Sequence, residues 1–190
     1  MATPGRATLR CGGNTACVEV RCDSRIVVLD AGTGIRELGL ELEQQGVREM
    51  DLLISHFHMD HLQGFPFFTP SYNKDVRISI HLAPGGPGHT LAEPFQRLMQ
   101  EPHFPVPFHV LAADIRFHEM NGSCRLGDIS VTSHPVNHPG GCIAYRLEYR
   151  EKIMVYLTDH EPYAGAEDGT IREFTRGADL VIREAQYTTA

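Results

Sequence analysis

The stretch His56-Phe57-His58-Met59-Asp60-His61 places four side chains that can bind a metal within six residues. It follows the apolar run 51–55, whose length and composition predict a short buried strand. Because side chains alternate with a period of two in an extended chain, His56 and His58 are expected to point the same way. Imidazole and carboxylate groups suit zinc, manganese or iron. The stretch therefore predicts a metal site at the end of a strand.

Strand and helix patterns extend from this stretch in both directions. Upstream, alternation predicts antiparallel strands over 16–22 and 25–30 with a tight turn at Asp23-Ser24, and apolar spacing predicts a helix over 35–45. Downstream, strands are predicted at 76–82, 114–118, 129–134, 142–148, 152–157 and 179–183, and short helices at 91–100 and 169–175. Many strands with interspersed helices predict a protein of the α+β class.

Length and charge limit the class of protein. A chain of 190 residues predicts a single domain over 1–190, with an insertion-like region at about 62–110 that Gly and Pro interrupt. Apolar residues make up 42% of the chain and charged residues 22%, which is typical of a globular protein. The net charge of −7 argues against binding of extended nucleic acid through a broad basic surface.

The sequence also gives an expectation for the cellular location of the protein. No apolar stretch has the length needed to span a bilayer, and no apolar signal-peptide segment follows the N-terminus, so no membrane partner is expected. The five cysteines are odd in number and form no CxxC pair. Their spacing predicts reduced thiols in a cytoplasmic protein rather than a disulfide framework or a structural zinc site.

The His-x-His-x-Asp-His pattern after an apolar strand resembles the signature of the metallo-β-lactamase superfamily. Within it, the chain is similar to the branch of ribonuclease Z and cyclic-nucleotide phosphodiesterase-type hydrolases. Supporting segments occur in the family's order over nearly the whole chain. They are 12–15 (GGNT), 29–34 (LDAGTG), 137–141 (NHPGG), 157–159 (LTD) and 184–187 (EAQY).

The resemblance implies an αβ/βα sandwich, in which two mixed sheets are flanked by helices, with two divalent metals at one edge. Zinc is the expected metal, and manganese or iron is the alternative. The implied ligands are His56, His58 and His138 for the first metal, Asp60 and His61 for the second, and Asp159 as the carboxylate that bridges both. Asp60 and Glu184 are the predicted catalytic groups, Asp60 as a residue that also orients the nucleophile.

Several residues near these positions allow two interpretations. His134 is a rival to His138, although a partly buried position at a strand end is the favoured one. Asp30 is predicted to orient the metal loop by hydrogen bonding. His160 is expected to support the site or to lie at the surface. Glu184 and its neighbour Arg183 are either substrate-side groups or an exposed ion pair at a strand end. The histidines that lack partners in the metal-binding cluster are His81, His89, His103, His109 and His118. Most of them are predicted to be solvated or structural, and lining of a substrate pocket is the alternative for His103.

The chain departs from the family pattern at three places. Family members carry a strand before the segment 12–15 and a final histidine after the segment 184–187, and neither occurs in this sequence. We therefore expect a fold truncated at both ends and a second metal site that lacks its final histidine. An exposed sheet edge would then favour marginal stability or a homodimer. In ribonuclease Z a histidine implicated in assisting the leaving group stands where this chain has Arg183, which argues against pre-tRNA cleavage.

Three functions follow from these observations. The first is a metal-dependent phosphodiesterase that acts on small-molecule phosphodiesters or cyclic nucleotides. The second is another hydrolase of the same fold, which opens a thioester, a lactone or a β-lactam. The third is an inactive fragment that binds one metal or none.

Overall fold

The chain divides into two compact units, Met1–Glu119 and Met120–Ala190, in a computed structural model. The structure describes residues 1–84, 90–162 and 169–184. The single domain and the insertion-like region at 62–110 stay predictions. Residues 185–187 of the segment 184–187, together with His89, lie outside the described residues.

The first unit contains a five-stranded mixed sheet with the strand order β1-β2-β3-β4-β5. Its strands are β1 (Val18–Cys22), β2 (Arg25–Leu29), β3 (Glu49–Ile54), β4 (Arg77–Leu82) and β5 (Asp114–Glu119). The β1–β2 pair is antiparallel, and the other three pairs are parallel. The helices are α1 (Gly34–Gln44), α2 (Met59–Leu62) and α3 (Glu93–Leu98), and 3₁₀ helices lie at Arg6–Thr8, Phe65–Phe67, Thr69–Tyr72 and Phe108–Val110.

Strand β3 lies at the centre of this sheet and is buried except at Glu49. A strand between two parallel neighbours, covered on both faces, requires apolar residues on both, which explains the continuous run in the sequence. On one face, Leu52 and Ile54 pack in a core with Ile35 of α1 and Phe95 of α3. The carboxyl end of β3 leads directly into the histidine-rich stretch.

The second unit contains a five-stranded mixed sheet with the order β10-β9-β8-β7-β6. Its strands are β6 (Ser123–Leu126), β7 (Ile129–Val136), β8 (Cys142–Tyr149), β9 (Lys152–Leu157) and β10 (Leu180–Arg183), and α4 spans Gly169–Thr175. Only the β9–β10 pair is parallel. Ile171 of α4 packs against Val155 and Leu157 in the core of this unit. Each unit thus carries a mixed sheet flanked by helices, and the α+β class is confirmed.

The strands and helices predicted from the sequence are present in the described residues, which also contain β6 and four 3₁₀ helices that were not predicted. Strand β6 was not predicted, because Ser123–Leu126 has four residues of mixed polarity and is defined by its pairing with β7. The turn at Asp23-Ser24 is confirmed, and Asp23 has a φ of 52° there. Helix α3 is shorter than the predicted 91–100.

Two cysteines of the first unit are expected to react differently with iodoacetamide. Burial, together with the nearby carboxylates of Asp30 and Glu19, raises the pKa of Cys17 to about 12, whereas Cys11 is exposed. Since the thiolate is the nucleophile, native protein at pH 8 should be alkylated at Cys11 and spared at Cys17. Peptide mass spectrometry measures both sites, and urea-unfolded protein should be modified at both. Equal rates in the native protein would contradict the prediction.

Candidate metal centre

Three histidine rings lie together where β3 ends and α2 begins. The ring centroids of His56 and His58 are 4.6 Å apart, and those of His56 and His61 are 4.2 Å apart. His56 and His61 are each 4% exposed, whereas His58 is exposed. The structure therefore brings three of the predicted ligands together within the first unit. The backbone between β3 and α2 is still extended at His58, the last residue before the helix, which has a ψ of 148°.

The buried carboxylate of Asp30 organises two of these rings. Its Oδ1 accepts a hydrogen bond from the Ser55 backbone N–H at 2.7 Å. Its Oδ2 lies 2.8 Å from the Ser55 hydroxyl oxygen and 2.7 Å from His61 Nδ1. Asp30 is fully buried, as a group with several partners can be. The prediction that Asp30 orients the metal loop therefore has direct hydrogen bonds to support it.

These hydrogen bonds set the tautomers of the two rings. A carboxylate only accepts, so the Ser55 hydroxyl and His61 Nδ1–H both donate to Asp30. The single hydroxyl proton of Ser55 is then used, so Ser55 Oγ accepts from His56 Nδ1–H at 3.0 Å. Both rings consequently carry their proton on Nδ1 and a lone pair on Nε2. Neutral imidazoles with this second hydrogen bond are the form that ligates metals.

The loop after β2 is held against α2 by backbone contacts. The Ala31 N–H donates to the His61 carbonyl at 2.7 Å, and the Gly64 N–H donates to the Ala31 carbonyl at 3.0 Å. A Cβ atom on Gly32 would collide with the Asp60 carbonyl oxygen, so the approach requires glycine. The sequence segment 29–34 thus fixes the start of α2 as well as the position of Asp30.

The segment 12–15 supports the same loop. The Thr33 N–H donates to Thr15 Oγ1 and the Thr15 N–H donates to Thr33 Oγ1, each at 2.8 Å. The Thr33 hydroxyl donates to the Asn14 side-chain oxygen at 3.1 Å. Two segments that the family resemblance singled out separately are therefore joined by reciprocal hydrogen bonds.

In the second unit, His138 and Asp159 lie in loops at one edge of the sheet. His138 follows β7, and Asp159 follows β9. The two loops are tied together because the Glu161 N–H donates to the Asn137 carbonyl at 2.9 Å and the Asn137 side chain donates to the Glu161 carbonyl at 2.8 Å. Asp159 has a φ of 51°, outside extended geometry.

Glu161 is a residue that the sequence analysis missed. Its Oε1 lies 3.2 Å from His138 Nδ1, where a carboxylate accepts the Nδ1 proton and leaves the lone pair on Nε2. Its position two residues after Asp159 does not indicate a role in the sequence. The contact between Glu161 and His138 depends on how the loops 137–141 and 158–161 meet.

Two neighbouring histidines are settled by the structure. His134 lies within β7, half-buried, with its ring stacked on Phe174 at 5.2 Å, as the favoured interpretation predicted. His160 is 4% exposed, so the surface alternative for this residue is wrong. Asp159 has a left-handed backbone conformation, which ends the alternation of side-chain direction along the strand. The direction of the His160 side chain therefore could not be predicted from that alternation.

The two predicted catalytic residues, Asp60 and Glu184, lie in different structural environments. Asp60 lies in the first turn of α2, and its side chain is 43% exposed. Glu184 follows β10, which pairs in parallel with β9 so that Arg183 is opposite Leu157. Glu184 therefore lies at the same edge of the sheet as Asp159. Its carboxylate is 3.9 Å from Arg183 Nε, a distance compatible with the ion-pair alternative.

Among the remaining histidines, the structural interpretation is confirmed for His81, which is buried and contacts both Asp51 and His118. His81 Nε2 lies 3.0 Å from the buried Asp51 carboxylate, and its ring stacks on His118 with centroids 4.8 Å apart. The parallel register of β4 and β5 sets these two residues opposite each other, a long-range pairing that no local pattern encodes.

The comparisons with known proteins agree with this fold. A family profile described as beta-lactamase superfamily domain matches residues 25–190. A ribonuclease Z of Thermococcus kodakarensis is 28% identical over 83% of this chain and 48% of its own length. A ribonuclease Z of Methanococcus aeolicus is 23% identical over 76% of this chain and 44% of its own length. The chain thus spans about half the length of these curated relatives.

A solved structure confirms the fold. The metallo-β-lactamase fold protein YhfI of Bacillus subtilis superimposes with a TM-score of 0.63 at 17% identity, over 95% of this chain and 66% of that one. In the part of the chain that the structure describes, no helix has the length and apolar character to cross a membrane. The predicted resemblance to the ribonuclease Z branch is confirmed, and the chain belongs to the beta-lactamase superfamily domain family.

Proposed function

We propose that this chain is a metal-dependent hydrolase that cleaves small phosphodiesters, with cyclic nucleotides among its substrates. The observation that carries the proposal is the buried network from Asp30 through Ser55 to His56 and from Asp30 to His61. A network that holds two neutral imidazoles in one tautomer prepares nitrogen ligands for a cation. A histidine-rich surface turn would have no need for such buried support.

The proposed ligand set is the one that the family resemblance implies. It comprises His56, His58 and His138 for one metal, Asp60 and His61 for the other, and Asp159 between them. Imidazole nitrogen and carboxylate oxygen together fit zinc, with manganese or iron as alternatives.

Two bound cations would supply Lewis-acid polarisation of the phosphoryl oxygens and a water nucleophile at neutral pH. The protein's own groups then have defined tasks. Asp30 holds the proton on His61 Nδ1, and Ser55 holds the ring of His56 in place. Asp60 orients the attacking water, and Glu184 faces the substrate at the edge of the second sheet. Glu161 keeps the proton of His138 on Nδ1.

Support for phosphodiesters over other substrates comes from the curated relatives. Both are named ribonuclease Z, and cleavage of RNA is phosphodiester chemistry. The alternative is a hydrolase of a thioester, a lactone or a β-lactam on the same fold, or a fragment that binds metal without turnover. Although the relatives act on RNA, the net charge of −7 and Arg183 favour a small diester here. A cytoplasmic location, consistent with an odd number of cysteines that form no CxxC pair, and a homodimer belong to the proposal.

The test is hydrolysis of bis(p-nitrophenyl) phosphate by the purified 190-residue chain with zinc or manganese added. A thioester, a chromogenic β-lactam and a pre-tRNA are assayed beside it. We expect release of p-nitrophenolate that a chelator abolishes, and no cleavage of the other three. Turnover of only the thioester or the β-lactam would move the assignment to that substrate class. Bound zinc without turnover of any substrate would reject the enzymatic proposal.

A further inference from the structure

Large apolar side chains are exposed in and directly after the segment that carries His56, His58 and His61. Among the described residues, four of nine exposed large hydrophobic side chains fall between residues 57 and 72. They are Phe57, Met59, Phe67 and Tyr72. Phe67 is 54% exposed. Its ring contacts the Phe104 ring edge-to-face, with centroids 5.6 Å apart and planes at 88°. Such a concentration of exposed aromatic surface indicates a binding site.

Phe67 belongs to a short 3₁₀ helix that is anchored in the core. Phe65, two residues earlier in the same 3₁₀ helix, is fully buried and packs edge-to-face on Phe95 at 4.7 Å. The Tyr72 hydroxyl donates to the Pro66 carbonyl at 2.7 Å and so fixes the outer side of this helix. The exposed ring therefore projects from an element whose other ring is held in the core, which lowers the entropic cost of binding a ligand.

Backbone hydrogen bonds also connect this 3₁₀ helix to the turn that carries the proposed ligand His61. Gly64 precedes the 3₁₀ helix, and its N–H donates to the Ala31 carbonyl. A side chain at Gly64 would collide with the Gly32 carbonyl, so the close contact needs glycine. Ala31 in turn donates its N–H to the His61 carbonyl at 2.7 Å. Two backbone hydrogen bonds thus connect the base of the aromatic pair to the turn that carries His61.

Charge indicates what these rings bind. No Lys or Arg occurs in residues 49–73 or 98–115, the two segments that contribute Phe67 and Phe104. These segments therefore offer no cation for a phosphate, and their contribution to binding is an aromatic face and edge. A planar, uncharged ring attached to the phosphate is the group that complements such a surface.

We propose that Phe67 and Phe104 form a stacking site for the nucleobase of a nucleotide diester whose phosphate is held at the candidate metal centre. The inference rests on the proposed function, because it takes the phosphate to lie at that centre. Stacking of one base on aromatic side chains changes affinity by about tenfold, and it tolerates different bases because each has a π-face. The two phenylalanines would thereby select nucleotides over simple alkyl diesters.

The test compares binding of adenosine 5′-monophosphate and ribose 5-phosphate, which differ only in the base. Both are titrated into the zinc-loaded chain and followed by NMR, with saturation transfer from the protein to the base protons as a second readout. We expect about tenfold tighter binding of adenosine 5′-monophosphate, and saturation of its base protons. Phe67→Ala should remove the saturation and most of the preference. Val110→Ala is the matched control, because Val110 is 53% exposed and lies outside the pair.

Each outcome bears on the stacking site separately from hydrolysis. The base preference and the saturation are read without turnover, so an inactive protein that retains both would reject the proposed enzymatic function and keep the stacking site. Equal affinities for the two ligands, or base saturation that survives in Phe67→Ala and Phe104→Ala, would overturn the stacking site. Tighter binding of phenyl phosphate than of adenosine 5′-monophosphate would overturn the nucleobase assignment in favour of an aryl group.

Discussion

Asp30→Asn should lower the free energy of unfolding by about 3 kcal/mol, which is the cost of leaving buried donors without an acceptor. Asp30 is fully buried and accepts from the Ser55 N–H, the Ser55 hydroxyl and His61 Nδ1. An amide has one acceptor oxygen, so its NH₂ group would face at least one of these donors. The variant keeps the shape of the side chain, removes its charge and replaces one acceptor oxygen with an NH₂ donor.

The same substitution should also weaken zinc binding by about 10–100-fold, because His61 loses the group that holds its Nδ1 proton. Urea unfolding of the metal-free chain gives the first quantity, and competition with a chromogenic chelator gives the second. Asp75→Asn is the matched control, since Asp75 is exposed in the same unit. If Asp30→Asn and Asp75→Asn unfold at the same urea concentration, the network does not stabilise the unit as we argue.

The local parts of this fold follow from the sequence. The apolar run before His56 identifies β3 because a central parallel strand is covered on both faces, and the neighbouring hairpin follows from alternation around Asp23-Ser24. The clustering of His56, His58 and His61 follows in the same way, since an extended residue and one short helical turn are enough to bring them together.

The long-range parts of the site could not be predicted in this way. The Ser55 hydroxyl determines the tautomer of His56 only because β2 places Asp30 beside it, at a sequence separation of 25 residues. Glu161 meets His138 through two loops, and His81 meets His118 through the register of parallel strands. The surface alternative for His160 failed for a related reason, because the positive φ of Asp159 interrupts the alternation on which side-chain direction depends. Pairings of this kind depend on tertiary structure.

His58→Ala should abolish hydrolysis while leaving the fold unchanged. His58 is exposed, and substitutions at exposed positions usually change the free energy of unfolding by less than about 0.5 kcal/mol. As a proposed ligand of the first metal, however, it supplies a nitrogen that alanine cannot replace. Since loss of a group that merely supports a ligand weakens metal binding by about 10–100-fold, loss of the ligand itself should weaken zinc binding by more than about a hundredfold.

His109→Ala provides the matched control, because His109 is an exposed histidine of the first unit outside the cluster. Zinc affinity by chelator competition and release of p-nitrophenolate are measured on both variants, with urea unfolding as the test of the fold. We expect His109→Ala to match the unchanged chain in all three. Hydrolysis that persists in His58→Ala would remove His58 from the site and with it the proposed first metal. Loss of stability in His58→Ala would instead assign this exposed ring a structural role, and the loss of activity would then say nothing about ligation.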